Sequence, residues 1–297
     1  MNWQSPFGLP GHWYKGNLHT HTTQSDGRIS PDDAVAWYHE QGYDFCALSD
    51  HWVLTPGRVY SPDFITLSGT ELHGDGYHLL VAGLRELPPR DQEHEPQAVI
   101  DYVKAQGALA YIAHPYWTGR PSMETAALRD LDGLEVFNSV CEITQGTGHA
   151  RIHWDDCLSA EQRLTGLAVD DVHWSFGEAG GGYVMVRALE LSETALLESL
   201  RQGHFYSSMG PTIQDLRIRD GDDLGPALDV VCSPCAEILF YTYGPHGRRF
   251  AAQPGETISR ASLPLRQEQV FVRVECRDVS GRCAWSNPVF LGDILSD

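Results

Sequence analysis

Nine residues of this 297-residue sequence have the types and placement to bind cations. They are His19 and His21 in His19-Thr20-His21, Asp26 in Ser25-Asp26-Gly27, His51 after Asp50, Glu71, His78, His114 before Pro115, and Asp171 and His173 in Asp171-Val172-His173. Imidazole with carboxylate and no thiolate suits Zn, Mn or Fe(II). A neutral histidine ligand needs its other ring nitrogen fixed, and Asp50, beside His51, is the expected acceptor. Singly, each piece is weak, since an isolated His-x-His is more often surface or core histidine. Joint placement decides the matter: most of these positions close an expected β-strand, and that rim is where active sites assemble in parallel α/β folds. Six histidines and three carboxylates are therefore expected to converge on one mouth as a metal site. His73 competes with His78 for the same place. The remaining histidines, at 12, 39, 94, 149, 153, 204 and 246, fall outside the rim pattern and are read as structural.

The elements that must position these residues alternate. Ser30-Pro31-Asp32-Asp33 starts a helix, with Ser at the N-cap, Pro in the first turn and acids near the positive end of the dipole. Ala34, Trp37, Tyr38 and Gln41 share a face, and Gly42 closes it. Short apolar strands are expected at 43–49, 64–69, 77–82, 108–113, 133–138, 164–169 and 183–188, and helices at 96–106, 124–131, 149–163 and 192–202. This alternation implies a mainly parallel α/β sheet or barrel. After Gly210-Pro211 the helix signal fades. Segments 213–218, 228–232, 237–243, 269–276 and 283–291 read as strands between Gly-, Asp- and Pro-rich turns. Residues 1–210 are thus expected to form the α/β unit that carries the site and 211–297 a small antiparallel β-domain, sandwich-like.

Other chemistries are poorly supplied. There is no Gly-x-Ser-x-Gly elbow, no phosphate-cradling Gly-rich loop with Lys-Ser/Thr, and no cysteine in a protease-like context. With 21 Lys+Arg against 40 Asp+Glu, the net charge is −19, which repels nucleic acid and anionic lipid. No run reaches the ~18 apolar residues of a membrane span. Seven cysteines, an odd number, and an opening without a basic stretch before an apolar one lead to an expectation of reduced thiols in the cytoplasm. Cys232-Ser233-Pro234-Cys235 has no second pair at zinc-finger spacing and is read as structural.

His19-Thr20-His21, Ser25-Asp26-Gly27, Ser49-Asp50-His51, Glu71, His114-Pro115 and Asp171-Val172-His173 together resemble the PHP (polymerase and histidinol phosphatase) superfamily over roughly residues 15–210. Gly210-Pro211 and Ala284-Trp285-Ser286-Asn287-Pro288 add a resemblance to its carbaryl-hydrolase-like branch, whose barrel carries a C-terminal β-domain. The resemblance implies a distorted seven-stranded βα barrel with a trinuclear centre of two to three divalent transition metals. It implies that His19, His21, Glu71 and Asp171 hold one metal. Glu71 bridges to a second with His78 and His114, and Asp26, His51 and His173 hold the third. Val169-Asp170 stands where the family often has Gly-Ser, so Asp170 competes with Asp171. Arg120 is the nearest candidate for the family's phosphate-binding arginine.

Three divalent ions against Asp26, Glu71 and Asp171, with neutral histidines, leave a site charge of about +3. That favours an anionic small-molecule ester, first of all a phosphoester, attacked by a metal-bridging hydroxide whose pKa falls towards ~7. Glu71 is then central, and His21, His51 or His173 protonates the leaving group if one metal position is empty. The alternatives are a carboxylic or carbamate ester hydrolase using the same hydroxide, and a non-enzymatic metal-binding protein. Glu135, also on an expected strand, is the carboxylate to test should Glu71 not be central.

Overall fold

The computed structural model describes residues 3–222 and 225–295. The strands are β1 (His12–Asn17), β2 (Phe45–Ala47), β3 (Arg58–Ser61), β4 (Phe64–Leu67), β5 (Gly69–Gly74), β6 (Tyr77–Ala82), β7 (Leu109–Ile112), β8 (Gly133–Asn138), β9 (Thr165–Val169), β10 (Tyr183–Ala188) and β11 (Phe205–Ser208). Among them lie helices α1 (Pro31–Glu40), α2 (Pro96–Ala105), α3 (Ser122–Ala126), α4 (Ser139–Gln145), α5 (Arg151–Ser159) and α6 (Glu193–Arg201). The rest is β12 (Ile213–Asp222), β13 (Gly225–Cys235), β14 (Glu237–Thr242), β15 (Arg248–Ala251), β16 (Ile258–Pro264), β17 (Phe271–Arg277), β18 (Cys283–Ser286) and β19 (Val289–Phe290). The fold is mixed α/β with large sheets.

Helix α1 begins as its sequence dictates. The Ser30 hydroxyl accepts from the Asp33 N–H, with Pro31 in the first turn. Its buried face differs from the expected one: Ala34, Val35 and Tyr38 are buried, while Trp37 is half-buried and Gln41 exposed. Helices α3 and α5 are shorter than the ranges expected for them.

The sheets are not mainly parallel. Pairs β1–β2, β2–β4, β7–β8 and β8–β9 are parallel, but β6 runs antiparallel to both β5 and β7, and β1 pairs antiparallel with β10. The cause is the Gly74-Asp75-Gly76 turn, where Gly76 adopts φ +70°, a left-handed conformation glycine takes without a steric cost. It folds β5 onto β6 as a hairpin and sets His73 directly opposite His78. Glu71 therefore sits inside strand β5, not at a strand end as expected.

One five-stranded sheet runs β5-β6-β7-β8-β9, and β1, β2, β4 and β10 belong to a second, larger sheet. The two are stitched at the rim, and deeper in by Ser207 of β11, whose Oγ accepts from Ala168 N (3.0 Å) and donates to Gly166 O (2.6 Å). Thr20 bridges Val172 and His51 bridges Glu71. Backbone bonds from Asp171 N to His19 O (3.0 Å), His21 N to Val172 O (3.0 Å) and Trp52 N to Glu71 O (2.9 Å) carry the seam. These are the residues that bear the candidate ligands.

In the last third, β12, β13 and β16 form a three-stranded sheet, while β14, β15, β17, β18 and β19 extend the larger sheet through the β11–β18 pairing. The expected strand over 283–291 is split into β18 and β19 by Asn287-Pro288. Cys232, Cys235 and Cys276 are buried with Leu228, Val230 and Val274 in this part's apolar core, and all seven cysteines are free. No described helix is long and apolar enough to cross a membrane.

Candidate metal centre

His19 and His21 leave β1 in extended backbone, so residues two apart point to one side. Both rings are fully buried with centroids 5.1 Å apart. The tripeptide is pinned between neighbours, since Ser49 Oγ accepts from Thr20 N (2.9 Å) and Ser49 N donates to Thr20 O (2.8 Å). Glu71 reaches this point from β5. Its Oε2 lies 3.1 Å from His19 Nε2, 3.2 Å from His21 Nε2 and 3.1 Å from His51 Nδ1. Its Oε1 lies 2.7 Å from His78 Nδ1 and 3.2 Å from His114 Nε2. One carboxylate thus faces five imidazoles. Asp171 completes the inner group, with Oδ1 at 3.2 Å from His19 Nε2 and 2.9 Å from His21 Nε2. Asp26, on the open side, lies 3.4 Å from His21, 3.6 Å from His51 and 3.2 Å from His173.

All nine expected ligands therefore come together. Their donor atoms fall into three overlapping groups: His19, His21, Glu71 and Asp171; His21, Asp26, His51 and His173; and His51, Glu71 and His78. His114 joins through Glu71. His73 stacks on His78 at 5.2 Å between centroids but belongs to none of the groups, and Asp170 points elsewhere. The Asp170 carboxylate accepts from Tyr38 Oη (2.8 Å), Gly180 N (2.8 Å) and Gly182 N (2.9 Å). Burial pushes its pKa up to about 6, against the lowering effect of those donors.

Whether cations fit can be judged from what the cluster leaves undone. Glu71 Oε2, Asp171 Oδ1, His51 Nδ1 and His114 Nδ1 are buried without a hydrogen-bond partner. Buried polar atoms are nearly always paired, and unpaired ones cost about 1–3 kcal/mol each. Lone pairs that converge without hydrogen-bond geometry are what a cation needs. Backbone strain marks the same place: His114 and Asp171 hold φ of +28° and +52°, which side chains other than glycine adopt only when the surroundings enforce it.

The metal-free charge balance is unusual. Burial alone would raise the Glu71 and Asp171 carboxyls, yet the surrounding histidines hold both well below the usual range. Burial would likewise lower His21, but Asp171 and Glu71 outweigh it and raise its pKa to about 9. His19 is raised for the same reason, with Glu135 contributing.

Glu135 is the residue whose role the sequence reading missed. It is fully buried on β8, and its carboxylate accepts from His19 Nδ1 (2.5 Å), His114 N (2.8 Å) and Asn138 Nδ2 (2.8 Å). That leaves the His19 Nε2 lone pair facing the centre. An acid inside the apolar run Leu134-Glu135-Val136-Phe137 was the available signal. His173 is oriented similarly, with Nδ1 donating to the Asp171 carbonyl (2.8 Å) and Nε2 left toward Asp26. Buried Glu178, also missed, accepts from the backbone N–H of His173 (2.8 Å), Ser175 (3.2 Å) and Phe176 (2.7 Å), fixing that loop.

Two expectations fail. Asp50 does not serve His51: it accepts from Thr22 N (2.8 Å), Thr22 Oγ1 (2.7 Å) and Ser25 Oγ (2.7 Å), bracing the segment before Asp26. Arg120 does not line the cavity over the cluster. Its guanidinium donates to the carbonyls of Gly76 (3.3 Å) and Glu124 (3.4 Å), because the β5–β6 turn lies within its reach. The cavity itself is about 350 Å³, with Asp26, His51, Glu71, His78, His114, Asp171 and His173 on its floor. Helix α4, Trp117 and Phe176 form its wall. Helix α4 was not expected; Asn138 caps it by accepting from Cys141 N (3.0 Å), and Gly146 closes it at φ +68°.

No family model and no curated protein matches the sequence. Among solved structures, the chain is similar to a two-domain protein from Bacteroides vulgatus containing a predicted PHP-like metal-dependent phosphoesterase. Identity is 15% and the TM-score 0.51, over 90% of this chain and 91% of that one. A protein from Bifidobacterium adolescentis described as a metal-dependent phosphoesterase matches more loosely, at 15% identity and TM-score 0.37, over 63% of this chain and 96% of that one. The first likeness, spanning nearly the whole of both chains, shows a shared PHP-like fold.

Proposed function

We propose that this chain is a metal-dependent hydrolase of the PHP superfamily that cleaves a small phosphoester. The carrying observation is the buried cluster of three overlapping donor groups in which Glu71 Oε2, Asp171 Oδ1 and His51 Nδ1 have no hydrogen-bond partner. The same reading takes β1, β2, β5, β6, β7, β8 and β9 as a distorted seven-stranded ring, supported by the Thr20–Val172 and His51–Glu71 bridges. It takes residues 1–210 as the hydrolase unit and 211–297 as a smaller β unit.

His19, His21, Glu71 and Asp171 would hold one metal; Glu71, His78 and His114 a second; and Asp26, His51 and His173 the third. Bound divalent metals supply a water of lowered pKa and positive charge for the phosphoryl oxygens. The chain supplies orientation. Glu135 holds the His19 proton on Nδ1, and the Asp171 carbonyl holds the His173 proton on its own Nδ1. His51 and His173 are both 23% exposed on the solvent side, and they donate the proton to the leaving oxygen when the outer position is empty. Counting Glu135 with Asp26, Glu71 and Asp171 lowers the charge of a fully loaded centre from about +3 to about +2, still attractive to an anion.

The test is elemental analysis of protein purified with metals present, paired with turnover of matched phosphate and carbamate esters. Two to three metals per chain and a kcat/KM favouring phosphate are expected. One metal or none would sink the metal centre, and a preference for carbamate would replace the phosphoester by the carbamate reading.

A further inference from the structure

The cavity wall says more about the substrate than its floor does. No lysine or arginine lines it. Two nearby cations are committed elsewhere: Arg90 lies over the Trp52 ring at 4.1 Å and pairs with Glu93, and Arg120 is turned to the Gly76 carbonyl. The rest of the lining, apart from the donors, is Trp117, Val140, Cys141 and Phe176 with uncharged Thr144 and Gln145.

Exposed apolar side chains are common and carry no argument by themselves. Trp117 and Phe176, 41% and 58% exposed, differ from the other exposed large apolar residues in lining the cavity over the donors. The Trp117 ring stands edge-on to His114, with centroids 4.9 Å apart at 82°. The backbone of Phe176 is clamped by buried Glu178. Rigid aromatic surface held beside a polar floor is what an apolar ligand group covers. A second charge on the substrate would meet no countercharge on this wall and would lose its hydration.

Resting on the phosphoesterase reading, we propose that the substrate is a phosphate monoester whose alcohol part is uncharged and largely apolar, packed against Trp117 and Phe176. In its hydrolysis the oxygen of water bonds to phosphorus and the P–O bond to the alcohol breaks. One proton of that water ends on the alcohol oxygen, the other on the phosphate. No oxidant or co-substrate is required. The volume of about 350 Å³ accommodates a phosphoryl group with a ring-sized substituent.

The test uses the metal-loaded full chain with benzyl phosphate and glycerol 1-phosphate, whose leaving alkoxides are similarly basic. In parallel, calorimetry measures binding of benzylphosphonate and phosphonoacetate, which cannot be hydrolysed. Both comparisons should favour the benzyl compound by at least ~10-fold. Trp117→Ala and, separately, Phe176→Ala should each shrink that ratio at least ~3-fold, through KM and binding more than through kcat. Thr144→Arg, which places a cation on the wall, should strengthen phosphonoacetate binding. Turnover without the benzyl preference, or ratios unmoved in both aromatic variants, would overturn the inference alone. No turnover of either phosphate by a metal-loaded chain would overturn the phosphoesterase reading and this substrate with it.

Discussion

Two of the buried charge clusters among the described residues are built in opposite ways. In the C-terminal part, Glu275 is fully buried but accepts from Arg151 (3.0 Å), Arg277 (2.7 Å) and the Trp285 indole (2.9 Å). Buried Arg273 donates twice to Asp155, at 2.6 Å each, and its guanidinium lies over Tyr241 at 4.2 Å and Trp154 at 4.9 Å. Carboxylates there meet permanent cations in paired geometry, and the network ties α5 to β17. At the rim, the charged partners of Glu71 and Asp171 are histidines, whose charge depends on pH; Asp171 Oδ2 also accepts from Asn138 Nδ2 (3.0 Å), and each carboxylate keeps one oxygen unmet. A buried charge with its partner in place is architecture; one whose partners are titratable and whose lone pairs converge awaits a cation.

The comparison is broken most directly by removing one carboxylate from each group. Glu71→Gln replaces one of the two oxygens facing five histidines by an amide NH2, which would bridge two cations poorly, and removes the charge. It should strip metal from the chain and lower kcat by at least ~10³. His39→Gln is the control, since His39, on α1, contacts Asp63, Tyr60 and Phe64 and belongs to none of the donor groups. Asp155→Asn leaves the Arg273 guanidinium buried and unpaired, and should cost ~3–5 kcal/mol of stability while metal content stays full. Elemental analysis and chemical denaturation of both variants check the pair. Full metal content and near-normal turnover in Glu71→Gln, or lost metal in Asp155→Asn, would erase the distinction.

A subtler consequence concerns pH. In the metal-free chain, His19 and His21 have pKa values raised above the ordinary 6.5, that of His21 to about 9. A histidine raised on folding contributes stability that is complete below its unfolded pKa and is lost as pH rises through the folded one. The metal-free protein should therefore weaken between pH 6.5 and about 9 as those protons leave Glu71 and Asp171 facing neutral rings. Bound cations replace the protons, so the metal-loaded protein should be spared. The gap in Tm between the two forms should widen across this range. A flat or narrowing gap would mean that the histidines do not balance the carboxylates as described.

How legible this was in the sequence depended on how local the signal is. His19 and His21 could be placed together because alternation in extended chain puts both on one side. His51, His114 and His173 could be placed because each follows an apolar strand, and Asp26 because it comes shortly after His19-Thr20-His21 in Ser25-Asp26-Gly27. Glu71 was legible as a member of the candidate cluster but not as a mid-strand residue, since the Gly74-Asp75-Gly76 turn that makes β5 and β6 a hairpin carries no strand-end signal near it. Helix α4 was not legible: Val140, Ile143 and Thr144 are β-branched, and a cap from Asn138 rather than intrinsic preference starts the turn. Asp170 and Asp171 are neighbours with opposite fates, and only the approach of Gly180, Gly182 and Tyr38 from distant segments separates them.

The smallest expected effect sharpens the same contrast from the other side. Arg120 is a cation of the right type at about the right place in sequence to bind phosphate, yet it is engaged by backbone carbonyls away from the cavity. Its side chain donates to Gly76 and Glu124 carbonyls, and its own carbonyl lies 3.0 Å from His153 Nε2. Arg120→Ala removes two long hydrogen bonds at the edge of the β5–β6 turn and nothing from the cavity lining. Since a cation that touched the phosphoryl group would be worth a charge-assisted hydrogen bond, about 1.5–3 kcal/mol, its loss would cost roughly 10- to 100-fold in kcat/KM. The geometry instead predicts a change within about 3-fold on any phosphate ester, with metal content unaltered. A loss of 10-fold or more, confined to phosphate substrates and absent for carbamates, would mean that Arg120 swings over the site. The cavity would then have the cation its wall lacks, and a substrate carrying more negative charge would become acceptable.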